Sequence, residues 1–218
     1  LQFDNGLCGE ALIELFALTG EPRFRAGAIA AADWAVARPC VPNWNYNSFS
    51  VRLLARAYRS TGDARYLEAA VRKARMGMLP GQLEDGPRAG RWFDPHNARP
   101  AYHYLMMSAL AELASAMPAS HEHRPKILHA LSLGLTARNS EMVTRGVMNK
   151  ESALEALLAV RSAFAGDPAF LRETRSEQAI QVLGLLVSAE AKRGKLPIAP
   201  GPWGKFLEFV QTSGSETP

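Results

Sequence analysis

Only two cysteines, Cys8 and Cys40, occur among the 218 residues, and neither sits in a C-x-x-C pair or in a Cys/His spacing that would hold zinc. A disulfide-built mini-protein and a zinc finger are thereby excluded. No uninterrupted apolar run approaches the roughly 20 residues that cross a bilayer, so no membrane partner is expected. There is no Walker loop, no G-x-S-x-G elbow and no G-x-G-x-x-G fingerprint, which removes the usual phosphate, acyl-transfer and dinucleotide chemistries. Nothing in the sequence asks for a cofactor or a metal. His121-Glu122-His123 places two imidazoles at i and i+2, but no third ligand follows at metal spacing, and the triplet reads as a solvent loop.

Charge of one sign is not concentrated either. The formal net charge of +4 is spread along the chain. Arg52, Arg56, Arg59, Arg65, Arg72, Lys73 and Arg75 alternate with Ala, Leu and acidic residues, the pattern of the wet side of an amphipathic helix. That scatter speaks against nucleic acid as a partner. The first residue is Leu rather than Met, so the sequence reads as one whose upstream segment was cleaved or left out.

What the sequence does have is helical period, punctuated by Gly and Pro. Leu7, Ala11, Leu12, Leu15, Phe16 and Leu18 fall at helical spacing, with Asp4 or Asn5 suited to cap the start. Thr19-Gly20-Glu21-Pro22 breaks this helix, and Pro22 suits the first turn of a second one, which ends before Pro39 and Pro42. The pattern returns: an amphipathic segment over 49–59, with Asn47 or Ser48 as its cap, then the turn Thr61-Gly62-Asp63, then a helix over 67–78. The hexapeptides that begin at Thr19 and Thr61 lie 61 − 19 = 42 residues apart, and Leu12 and Phe16 align with Leu54 and Tyr58. Ala165-Gly166-Asp167-Pro168-Ala169-Phe170 is a third copy. A further pair over 101–117 and 126–138, a helix over 176–192 and a short helix over 203–211 complete the reading. Residues 1–211 form one all-α domain of antiparallel hairpins, and 212–218 a disordered tail.

In such an array the first helix of every pair starts at the same end. The segments preceding those helices therefore gather there: Gln2 to Gly6, Asn43 to Ser48, Arg91 to Arg99, and Met148 to Ser152. The first three are rich in aromatics, amides and carboxylates, whereas the turns around Gly20, Gly62 and Gly166 carry small and charged residues. Trp44, Asn45, Tyr46, Trp92, Asn97 and Arg99 form a candidate sugar-binding set, because a pyranose offers C–H faces to an aromatic ring and hydroxyls to polar groups. Trp44 and Trp92 serve equally well as covers over the end of the core. Asp94 and His96, which share a long polar loop, are the leading chemical pair, with Asp4 and Tyr102 beside them. Cys8 and Cys40 fall at neighbouring ends of one helix pair. A bridge between them would close a loop of about 30 residues, adding roughly 3 kcal/mol, and would fit a periplasmic or secreted protein. Two reduced thiols in a cytoplasmic protein are the alternative.

Helix pairs of 42 or more residues, T-G-[DE]-x-x-[FY] turns, and tips such as Phe3-Asp4-Asn5-Gly6-Leu7 and Trp44-Asn45-Tyr46-Asn47 together resemble the α/α-toroid, or six-hairpin glycosidase-like, superfamily. The similarity runs over residues 1–170. It implies a ring of inner helices around a carbohydrate cleft at the long-loop end, with glycoside hydrolases, polysaccharide lyases and sugar epimerases among the members. About four pairs do not close a six-pair ring, so the array is incomplete or open. On this resemblance the partner is an oligo- or polysaccharide, acidic in the lyase case. As a hydrolase, Asp94 would be the general acid and Asp4 the base. As a lyase, His96 or Tyr102 would take the C5 proton of a uronic sugar, while Asn45, Asn97 or Arg99 neutralised its carboxylate. The alternative function is a non-catalytic helical scaffold whose aromatic tips hold another protein.

Overall fold

The computed structural model describes residues 1–93, 99–145 and 150–193. Its helices are α1 (Gln2–Thr19), α2 (Pro22–Ala37), α3 (Trp44–Thr61), α4 (Ala64–Gly77), α5 (Pro100–Ala116), α6 (Arg124–Arg145), α7 (Lys150–Ala163), α8 (Pro168–Glu173) and α9 (Ser176–Lys192). Two short 3₁₀ turns, Leu79–Gly81 and Gly86–Arg88, lie between α4 and α5. No strand occurs among the described residues, only an isolated antiparallel bridge between Gln82 and Trp92. No helix there is long and apolar enough to cross a membrane.

The two Thr-Gly turns explain the repeat physically. Gly20 and Gly62 adopt φ of 70° and 73°, the left-handed conformation that ends a helix most easily with glycine, and their N–H groups donate to Phe16 O and Tyr58 O. Thr19 and Thr61 each donate through Oγ1 to the carbonyl four residues back and accept from the N–H two residues on. The same closure thus recurs at both sites. The third copy departs from it: Gly166 has no positive φ, and Asp167 caps α8 instead, its Oδ1 accepting from Phe170 N at 3.0 Å.

Each hairpin pairs an odd helix with the following even one: α1 with α2, α3 with α4, α5 with α6. The odd helices α1, α3, α5 and α7 also pack side by side in that order, as one parallel layer. The even helices back this layer, and α9 closes against α7 and α6. Among the described residues α1 and α7 do not pack side by side, so these four inner helices form a toroid-like arc. Its core holds Leu53, Leu54, Tyr66, Met106, Met107, Leu110, Leu113, Ile127, Leu131, Leu157 and Leu183, all but fully buried.

Several sequence expectations change. α3 begins at Trp44 rather than Phe49, so the expected loop tip is its first turn. Asn47, expected as a cap, faces α4 and is fully buried: Oδ1 accepts from Val41 N at 3.0 Å, and Nδ2 lies within donating distance of Val41 O, Asn43 O and Gly77 O. α1 begins at Gln2, so Asp4 lies inside the first turn, where a carboxylate complements the helix dipole, and Asn5 Nδ2 donates across to Ala31 O at 3.0 Å. α6 runs on to Arg145, seven residues past the expected end. Cys8 and Cys40 are both free: Cys8 is exposed on α1, while Cys40 is half-buried with its Sγ close to Gly77. The expected helix over 203–211 and the tail lie outside the described residues.

The basic residues of α3 depart furthest. Arg52 is only 8% exposed, and its Nε donates to both carboxylate oxygens of Glu10, at 2.8 and 2.7 Å. Arg56 bridges Glu14 of α1 and Glu112 of α5, each at 2.8 Å, and Arg59 also pairs with Glu112. The three arginines recur at i, i+4 and i+7, on the side of α3 away from Asn47, Leu54 and Tyr58. They form a ladder across the free face of the inner layer. Lys73, 1% exposed, has no carboxylate partner among the described residues and donates from Nζ to Arg38 O at 2.7 Å. Burial pushes its pKa down.

α1 is apolar nearly all round, and Leu7, Leu15 and Leu18 remain exposed, Leu18 at 83%. One repeat later, Leu7, Ala11, Leu15 and Leu18 correspond to Phe49, Leu53, Ala57 and Ser60. Phe49 and Leu53 meet α1 at Gly6 and Gly9, where an added Cβ would lie 2.6 and 2.7 Å from their side chains. At Leu7, Ala11 and Leu15 the exposed stripe on α1 thus holds the register that is covered on α3, whereas Ser60 is exposed as Leu18 is.

Candidate functional site

The N-termini of α1, α3 and α5 come to one end of the bundle, together with the connectors over 38–43 and 78–93. That end holds an open groove of about 420 Å³, lined by Leu1, Gln2, Trp34, Arg38, Pro39, Val41 and Tyr46. Gln2 holds one wall, donating from Nε2 to Pro39 O at 2.8 Å and accepting from Ser50 Oγ at 2.9 Å. The Arg38 guanidinium lies 4.9 Å from the centre of the Trp34 ring. Tyr46, 42% exposed, presents its ring from the first turn of α3. The volume falls in the range of small-ligand sites. The exposed Tyr46 ring beside a guanidinium stacked on Trp34 provides stacking surface and a charged hydrogen-bonding group in one place. Trp34 and Arg38 escaped the sequence reading because they lie on the last turn of α2 and just after it, outside the segments that precede the odd helices. A Trp four residues before an Arg, on an otherwise Ala-rich helix, was the signal available.

The other candidates fall in different surroundings. Trp44 is half-buried beside Gly81, and its Nε1 donates to Phe93 O at 3.1 Å, so it pins the 78–93 connector. Asn45 is buried, with no hydrogen-bond partner for Oδ1 among the described residues. Trp92 is 2% exposed: Nε1 donates to Met78 O at 2.9 Å, and the ring meets His103 edge-on. It packs the core end and offers no face to a ligand. Asp4 is exposed in the first turn of α1, Tyr102 is half-buried in the first turn of α5, and Arg99 is exposed at the N-cap of α5. Asp94, His96 and Asn97 lie outside the described residues.

Beneath Trp92 runs a buried polar network that the sequence reading did not single out. His103 accepts at Nδ1 from Arg138, whose Nε and Nη2 lie at 2.8 and 2.7 Å. Arg138 Nη1 in turn donates to Glu141 at 2.6 Å, and Glu141 also pairs with Arg91 at 3.4 Å. Tyr104 donates to Asn139 Oδ1 at 3.0 Å, and Asn139 Nδ2 donates to Thr174 O at 2.8 Å. Burial, with Arg138 and Arg91 adding repulsion, pushes the His103 pKa down to about 3. The imidazole is therefore neutral at physiological pH. This network fixes α5 to α6 and to the start of α9. Two histidines of the expected solvent loop are also ordered: His121 Nδ1 accepts from His123 N at 3.2 Å, and His123 Nε2 lies 2.7 Å from Arg75 Nη1. No group of metal-ligating residues occurs among the described residues.

No protein-family model matches the chain, and no curated protein sequence does. Among solved structures, the fold is similar to that of a polysaccharide lyase, with a TM-score of 0.58 over 89% of this chain at 12% sequence identity. The match covers 60% of that protein's chain. At this identity the similarity speaks for the fold alone, an all-α toroid-like array.

Proposed function

We propose that the chain is a carbohydrate-active protein of the α/α-toroid kind, which holds a saccharide at the long-loop end. The observation that carries this reading is the groove in which Trp34, Tyr46, Arg38 and Gln2 converge. A sugar ring stacks its C–H face on the exposed Tyr46, and Arg38, held over the Trp34 ring, takes its hydroxyls or a uronic carboxylate. The fold shared with a polysaccharide lyase agrees with this reading. For the chemistry, the lyase version assigns proton abstraction to Tyr102 or His96 and carboxylate neutralisation to Arg99 or Asn97. Asn45, buried and packed, drops out of that role. The hydrolase version assigns the acid to Asp94 and the base to Asp4.

Binding is tested by screening a glycan array with the unaltered chain and with Tyr46→Ala and Arg38→Ala. Glycan signal that both variants lose supports the groove, and signal indifferent to both removes it. The chemistry is tested with Asp94→Ala and His96→Ala on a polysaccharide panel, with unsaturated product read by ultraviolet absorbance. Unchanged activity in both variants removes those two assignments. A second reading, a helical interaction module, has the exposed stripe Leu7, Leu15 and Leu18 in its favour. Protein capture that survives excess oligosaccharide, together with a blank glycan array, would favour it.

A further inference from the structure

The free face of the inner layer carries a second concavity, far from the groove. It lies near the short-turn end, about 180 Å³ in volume, and is lined by Arg59 of α3, Glu112 and Ser115 of α5, and Ala159, Ser162 and Ala163 of α7. The central helix α5 gives the floor, and its neighbours α3 and α7 give the walls. We propose that this trough is a separate binding site for a single hydroxyl-rich, uncharged sugar unit. The proposal rests on the carbohydrate reading above and names the class of sugar that the inner face accepts.

The chemistry of the lining selects that class. Glu112 is almost buried, and its carboxylate is held between the guanidinium groups of Arg56 and Arg59. Ser115 Oγ donates to Glu112 O at 3.0 Å and accepts from Arg59 Nη1 at 3.2 Å. Donors and acceptors of full charge therefore stand side by side and already oriented. An anion entering the trough gains Arg59 but meets Glu112, and a cation meets the reverse. A hydroxyl satisfies both, donating to the carboxylate and accepting from the guanidinium, at no cost in unpaired charge. Ser162, exposed on α7, adds a group of either sense, so the lining is almost wholly polar and suits a ligand held through its hydroxyls. Tyr46 lies on a different side of α3 from Arg52, Arg56 and Arg59, so the trough is independent of the groove.

The test titrates the chain by calorimetry with neutral and uronic di- to hexasaccharides, alongside Ser162→Leu, Ser115→Leu and Tyr46→Ala. Both serines are exposed, so leucine fills the trough without entering the core. The expected result is about tenfold weaker binding of neutral saccharides in each serine variant, as hydrogen bonds and space are lost together, with helicity and melting temperature unchanged. Neutral saccharides that bind both serine variants as tightly as the unaltered chain, but Tyr46→Ala more weakly, overturn the trough and leave the groove reading intact. Uronic saccharides hit harder than neutral ones by the serine variants overturn the proposed class. If no saccharide binds any form, both readings fall.

Discussion

Arg52 and Glu10 stand 42 residues apart in sequence, one full repeat, and meet with Nε 2.7 Å from Oε2. Arg56 and Glu14 repeat the relationship with the same separation. Equivalent positions in successive hairpins therefore become lateral neighbours, and the charges alternate from helix to helix. On the other flank, Arg52, Arg56 and Arg59 face Ser108, Glu112 and Ser115 of α5, each pair 56 residues apart.

Removing Arg52 leaves Glu10, in a site with little water, to Arg56 at 3.9 Å, and removing Glu10 leaves Arg52 to the hydroxyl of Ser108 at 3.4 Å. Burial already raises the Glu10 pKa despite the nearby Arg52. Arg52→Met or Glu10→Leu alone is expected to cost about 3 to 5 kcal/mol in urea unfolding. The double substitution should cost clearly less than the sum of the two. Additive losses would show that the pair does not act as a unit.

Asn47 ties the connector before α3 to the end of α4 through Val41 and Gly77. Asn47→Ala leaves those buried groups without a partner and should cost about 3 kcal/mol. Asn47→Asp keeps the acceptor for Val41 N but sets a carboxylate against the carbonyls of Val41 and Gly77, so it should fare no better. A loss below 1 kcal/mol for the alanine variant, by the same unfolding measurement, would place little stabilisation in this clasp.

The repeat was legible because its turns are chemically marked: Thr-Gly in two copies, each with the hydroxyl and left-handed glycine that the closure needs. Helix ends within the hairpins were also readable from Pro22 and from the last turns before Pro39. The ladder was not legible. Arg52, Arg56 and Arg59 look the same in sequence whether they face water or a neighbouring helix, and only the lateral register reveals Glu10, Glu14 and Glu112 opposite them. Of the proposed groove, Tyr46 lay in a segment that the sequence singled out, although that segment is the first turn of α3 and not a loop before it, whereas the half-buried Trp34 and fully packed Trp92 cannot be told apart by residue type. Asp94, His96 and Asn97 lie outside the described residues.

His103 carries a pH dependence of known sign. The unfolded chain binds its proton near pH 6.5 and the folded chain only near pH 3, so between these values the unfolded state holds more protons. Its contribution to stability is complete above about pH 6.5 and declines as pH falls toward 3, by about 1.4 kcal/mol per pH unit at most. His103→Gln keeps an acceptor for Arg138 but cannot titrate. Its unfolding free energy should fall less steeply than that of the unaltered chain across this window. Parallel curves would assign the acid sensitivity elsewhere.

Two glycines separate turn strain from packing. At Gly20 an added Cβ meets nothing within 4 Å, so Gly20→Ala should cost only the left-handed backbone strain, about 1 kcal/mol. At Gly6 the Cβ would lie 2.6 Å from Phe49 Cβ and 2.9 Å from its backbone, which cannot move aside as a side-chain end can. Gly6→Ala should therefore cost about 2 to 3 kcal/mol, measured by thermal unfolding. A smaller loss at Gly6 than at Gly20 would mean that α1 slides freely over α3.

Because α1, α3, α5 and α7 each rest on the next, the fold resembles a row of coupled spins more than a single droplet. Damage spreads only to adjacent members of such a row. A cavity in α5 severs the row between its two halves, whereas a cavity of the same size in α1 detaches only the terminal hairpin. Amide exchange should accordingly be slowest in α5 and quicken toward α1, which among the described residues has one inner neighbour, as α7 has, but lacks the cover that α9 gives α7.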